Sequence, residues 1–79
     1  MIEFTVYSRN GCHLCEDLLQ HLRALQQDYS FEFVEVDVDS NPQLIKQYGS
    51  QVPVVTCGDV QVCHYFLDQA AIVRILTNS

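Results

Sequence analysis

Tyr7-Ser8-Arg9-Asn10-Gly11-Cys12-His13-Leu14-Cys15 carries two cysteines separated by two residues, between a short apolar run and the head of a helical pattern. That placement has chemical consequences. The first N–H groups of a helix lack intrahelical partners, and the helix dipole adds partial positive charge there. A sulfur at that point is stabilised as thiolate, the nucleophile in disulfide exchange. A second cysteine one turn on can close a small disulfide ring with it. In a chain without secretory features, this pattern beside a strand-helix-strand unit reads as a redox dithiol. Two other readings stand beside it: half of a structural zinc site, or two ordinary buried thiols. Zinc would need two further ligands at suitable spacing, and the chain supplies them poorly.

Working outward, Ile2 to Tyr7 alternates as a strand, with Ile2, Phe4 and Val6 on one side. Asn10-Gly11 signals the turn that follows it. Leu14, Leu18, Leu22 and Leu25 then recur at helical spacing, and Cys15 and Leu19 widen the apolar stripe. Cys15 lies on that stripe and Cys12 precedes it. Cys12 is therefore expected to be the exposed attacker and Cys15 the shielded resolver. His13 lies between them; as an imidazolium it favours the Cys12 thiolate, and as an exposed polar residue it does nothing.

Phe31 to Val38 forms a second strand, and adjacent Phe33 and Val34 predict cover on both of its faces. Asn41-Pro42 starts a second helix, with Asn or Ser at the cap and Pro at the first position. Leu44, Ile45 and Tyr48 supply its apolar face, and Gly49 is expected to end it at the C′ position. Val52 to Cys57 and Val60 to Tyr65 pair across Gly58-Asp59, a two-residue hairpin turn. That register sets Cys57 against Val60 and Cys63 against Val54, so the two thiols are expected on opposite faces, as small core residues. Asp68 caps a last helix from Gln69 to about Thr77, with Leu67 and Ile72 as its staple.

Composition limits the partners. The 79 residues predict a single domain spanning 1–79, with one core. Half the chain is apolar and 18% is charged, which suits a globular protein. Ten acidic residues against four basic ones give a net charge of −6, so neither nucleic acid nor an anionic membrane surface is expected as a partner. The start at Met1-Ile2-Glu3-Phe4 lacks the basic and apolar regions of a signal peptide, and no stretch reaches about 18 apolar residues. With four cysteines, below the roughly 8–10% of a disulfide scaffold, a reducing cytoplasmic location is expected.

The order β-α-β-α-β-β-α resembles the thioredoxin superfamily, and within it the glutaredoxins, chiefly short glutaredoxin-like proteins of undefined substrate. Three stretches carry the resemblance: Cys12-His13-Leu14-Cys15, Val34 to Pro42, and Gln51-Val52-Pro53. It implies an α/β fold with a four-stranded mixed sheet flanked by three helices. It also implies a cis-proline at Pro53, beside the cysteines, with the backbone of Val52 pairing with a bound thiol partner. Arg9 matches the basic residue that meets a glutathione carboxylate, and Asp68 matches the acid that receives the glutamyl end. The glycine pair ahead of that acid is missing, and Tyr65-Phe66 stands there, so glutathione is expected to bind weakly. Tyr7 and Tyr65 are candidates for lining a groove beside the cysteines, or for simple aromatic packing.

The resulting expectation is a dithiol-disulfide oxidoreductase with Cys12 and Cys15 as catalytic residues and Arg9, Val52, Pro53 and Asp68 as substrate-binding residues. No bound cofactor or metal is expected; glutathione is a candidate co-substrate. A disulfide-bearing protein or a low-molecular-weight thiol is the expected partner of a monomer. The alternative is a binding module of the same fold, whose thiols carry a metal or iron–sulfur cluster or play no part.

Overall fold

Alternation along Glu3–Ser8 makes the first strand, β1: Phe4, Val6 and Ser8 are buried, while Thr5 and Tyr7 face the other way. The computed structural model describes residues 1–78. Helix α1 spans His13–Leu25, strand β2 Glu32–Asp37, and helix α2 Pro42–Tyr48 after a 3-10 turn at Val38–Ser40. Strand β3 is Val54–Cys57, β4 is Val60–His64, and helix α3 is Gln69–Thr77. The sheet order is β2-β1-β3-β4. Strands β1 and β2 run parallel, and β3 is antiparallel to both β1 and β4. This is the expected mixed sheet with three helices.

One face of the sheet holds the main core. Phe4, Val6 and Val55 meet Leu18, Leu19, Leu22 and Leu25 of α1 and Ile72 of α3. Phe4 packs edge-on against Phe31 at 5.5 Å between ring centroids. Each such buried side chain contributes about 1.5–3 kcal/mol, so the α1 stripe is the main reason this helix docks. Leu14, placed on that stripe by its spacing, instead sits at the stripe's solvent edge.

The opposite face is thinner. Helix α2 has Asn41 as its N-cap, accepting from the Gln43 N–H, and Pro42 in its first turn, but no fully buried residue. Tyr48 stacks on Tyr7 at 4.2 Å. Tyr7 therefore does not line a groove at the cysteines; it belongs with Gln51, Gln61 and Asp59 around a polar cleft on this face. Cover on both faces of β2 is not found. It is an edge strand, and Val34 is 43% exposed, because seven-residue α2 reaches Tyr7 and leaves Val34 bare.

Two further expectations are corrected. Gly49 is the C-cap of α2 in right-handed helical conformation (φ −55°), not a left-handed C′ residue. Its N–H continues the helical ladder to the Ile45 carbonyl at 2.8 Å. A Cβ at Gly49 would strike that carbonyl and crowd Arg9 Nη2 at 3.2 Å, so close approach explains the glycine. In the hairpin, Cys57 does pair with Val60, but a bulge between Val55 and Thr56 sets Cys63 opposite Val55 rather than Val54. One extra residue reverses the parity. Cys57 and Cys63 thus share a face, both packed against the main core.

Candidate active site

The strand register assembles the site. Tyr7 pairs with Val54, and Val54 with His64. The end of β1, the approach to β3 and the exit of β4 therefore meet at one end of the sheet. The Ser8–Cys12 loop, the Gln51–Pro53 segment and the Tyr65–Asp68 corner all project there. A positive φ of 73° at Gly11 makes the turn that delivers the chain to α1, a conformation glycine takes without steric cost.

Cys12 is the N-cap of α1, and its carbonyl accepts the first helical bond, from Glu16 N–H at 3.1 Å. Its sulfur accepts from the Cys15 N–H at 3.1 Å. Cys12 is half-buried and Cys15 is 2% exposed. The two are joined as a disulfide with Cα atoms 5.2 Å apart, inside the usual range of about 4.4–6.8 Å. When the bond is reduced, the amide that points at the Cys12 sulfur favours its thiolate, since hydrogen bonding to a charged form stabilises that form. The asymmetry expected from the stripe is present.

His13 projects from the helix start, 96% exposed, with Nδ1 3.9 Å from Glu16. The Val52–Pro53 bond is cis, and Pro53 is fully buried. Arg9 bridges to the end of α2 and the turn before it: Nη2 pairs with Asp39 at 3.2 Å and Nη1 donates to the Gly49 carbonyl at 3.4 Å. Asp68 accepts from the Ala71 N–H at 3.1 Å as the N-cap of α3. Its own backbone N–H is directed at Cys63, whose thiol is pushed up by burial, against the lowering effect of that N–H, with a further push from the Asp68 carboxylate. Cys57 and Cys63 are free thiols. Among the described residues no three His, Cys, Asp or Glu side chains are grouped to hold a metal ion.

Sequence reasoning flagged Tyr65 only as a candidate groove residue and as a misfit for glycine. It is the one non-glycine residue with positive φ (65°) among those described. The Phe66 N–H bonds back to the His64 carbonyl at 2.7 Å, forming a γ-turn of the rare positive-φ kind. Such backbone costs on the order of 1–3 kcal/mol in a non-glycine residue. Two bonds hold it. The Tyr65 N–H donates to the Pro53 carbonyl at 2.8 Å, and its hydroxyl donates to the Ser50 carbonyl at 2.9 Å. Tyr65 thereby clamps the proline segment from both ends. Beside it, Leu14, Leu18, Tyr65, Phe66 and Leu67, with Asp17 and His21, line a groove of about 200 Å³.

Residues 3–77 match the family model of the glutaredoxin-like domain. The solution structure of protein Ne2328 from Nitrosomonas europaea is 40% identical, with a TM-score of 0.86 over 95% of this chain and 91% of that one. An uncharacterized Mycobacterium tuberculosis protein is 27% identical over 67 residues, which cover 78% of this chain and 69% of the relative. The glutaredoxin of Brucella melitensis is similar in fold, with a TM-score of 0.55 at 20% identity, over all of this chain and 83% of that one.

Proposed function

The chain belongs to the glutaredoxin-like domain family of the thioredoxin superfamily, and on that premise we propose that it is a thiol-disulfide oxidoreductase of cell redox homeostasis. One observation carries this reading. A half-exposed sulfur caps α1 under an amide donor, and a buried partner sulfur lies within bonding reach. In the reduced protein the Cys12 thiolate attacks one sulfur of a substrate disulfide. A Cys12–substrate bond forms as the substrate's own S–S bond breaks, and the electron pair leaves on the second substrate sulfur, which takes a proton from water. Cys15, once deprotonated, attacks the Cys12 sulfur and expels the rest of the substrate as a thiol. The products are the Cys12–Cys15 disulfide and a substrate reduced by two electrons. A low-molecular-weight thiol or a thioredoxin-type reductase returns those electrons.

In this reading no cofactor stays bound, and the protein works as a monomer on disulfide-bearing partners in the reducing cytoplasm. No described helix is long and apolar enough to cross a membrane. Glutathione is a poor co-substrate. Tyr65 and Phe66 stand where a glycine pair would bring backbone donors to the ligand, and their N–H groups are already given to the Pro53 and His64 carbonyls. Each charge-assisted bond lost to the ligand costs about 1.5–3 kcal/mol, about ten- to hundredfold in affinity. His13 and the Val52 backbone serve as modulator and partner contact.

Cysteine variants test the division of labour. Cys15→Ser should accumulate a mixed disulfide through Cys12 with a protein disulfide substrate, visible by mass spectrometry. Cys12→Ser should abolish turnover. Turnover by Cys12→Ser, or no adduct from Cys15→Ser, contradicts the assignment.

A further inference from the structure

The groove beside the dithiol is not used by the mechanism above. It is almost wholly apolar, and both walls join the reactive elements. Leu14, on one wall, lies between the two cysteines in the chain. Tyr65, on the other, is hydrogen-bonded to Pro53 and Ser50. Phe66 stands at the rim 68% exposed, and Tyr65 and Leu14 of the same groove are also exposed, so the three make one contiguous apolar patch beside the dithiol rather than a lone surface residue. A volume near 200 Å³ is below the roughly 300–1,000 Å³ of small-molecule sites and matches one large side chain.

Charge narrows the occupant. Asp17 and His21 are the ionisable side chains that line the groove, and with histidine neutral the chain carries a net charge of −6. That field opposes an anionic occupant such as the glutamyl end of glutathione. A large uncharged side chain gains by leaving water, with no charge to desolvate. We propose that this groove receives a large apolar side chain adjacent to the reacting cysteine of a disulfide-bearing polypeptide, and so selects polypeptide over glutathione disulfides. The inference rests on the oxidoreductase reading, because it names the substrate class of that same site.

Single-turnover kinetics with pre-reduced protein, freed of reductant, test it. The substrates are short blocked peptides whose one cysteine is disulfide-linked to a common chromogenic thiol, with Phe, Ser or Glu beside the cysteine. Cys12 attacks the peptide sulfur and releases the chromogenic thiolate, and Cys15 then frees the peptide thiol. The Phe peptide should react about tenfold faster than the Ser peptide, from partial burial of one aromatic side chain, and the Glu peptide should be slowest. Phe66→Ser should bring the Phe-to-Ser rate ratio close to one. That ratio is taken within one protein, so a general loss of activity cancels. Equal rates for Phe and Ser with the unaltered protein overturn the groove assignment while leaving the oxidoreductase standing, and so does an unchanged ratio in Phe66→Ser. No reaction with any peptide, nor with oxidised glutathione, overturns the oxidoreductase reading and the inference with it.

Discussion

Tyr65 shows how one residue can hold a conformation that its type disfavours. Its positive φ is the geometry expected of glycine at the corner before α3, and its two hydrogen bonds compensate for it. Tyr65→Phe keeps the backbone cost and loses the bond to Ser50, so it should lower stability by about 1 kcal/mol in urea unfolding. No measurable loss would show that the hydroxyl does not hold the proline segment. Cys63 makes a second residue-level case. Burial keeps its thiol protonated to higher pH in the native protein than in the unfolded chain. The stabilisation is therefore complete below the ordinary thiol value of about 8.5 and is lost as pH rises through the raised native value. Unfolding between about pH 8 and pH 10 should show a steeper decline for the wild type than for Cys63→Ala. Parallel declines would contradict the burial argument.

At the scale of elements, the pieces that sequence made legible are those written in periodicity. The leucine stripe of α1 from Leu18 on, the Asn41 and Asp68 caps and the Gly58-Asp59 turn follow from local rules, and they appear as expected. What stayed hidden depends on non-local geometry. No residue between Val60 and His64 announces a bulge, yet one extra residue moved Cys63 onto the face of Cys57. Similarly, Phe33-Val34 reads as a strand covered on both sides, and only the short reach of α2 leaves Val34 exposed. Gly49 is a glycine for space rather than for handedness. Gly49→Ala should push back the last turn of α2, loosen Arg9 from the Gly49 carbonyl, and cost about 1–3 kcal/mol as overpacking does. Helix propensity alone predicts the opposite sign, a gain of up to about 1 kcal/mol, so thermal unfolding of this one variant separates the two accounts.

Across the whole molecule, the strand register brings separate segments to one end of the sheet and so builds the candidate site. Cys12 and Cys15 were legible as a pair, because a helix start and an apolar stripe suffice to distinguish attacker from resolver. Arg9 was not legible in the same way. Its pairing with Asp39 and the end of α2 is a contact across some thirty to forty positions that no local pattern encodes. The same holds for the groove between Leu14 and Phe66, which exists only once α1 and the Tyr65 corner are side by side. If Cys12 and Cys15 cycle between dithiol and disulfide, thiol-specific mass spectrometry of the protein, equilibrated across a glutathione redox series, will show a two-electron transition confined to that pair, with Cys57 and Cys63 remaining thiols and little stable glutathione adduct. A pair that stays reduced across the series, or oxidation that appears first at Cys57 or Cys63, would contradict that cycling.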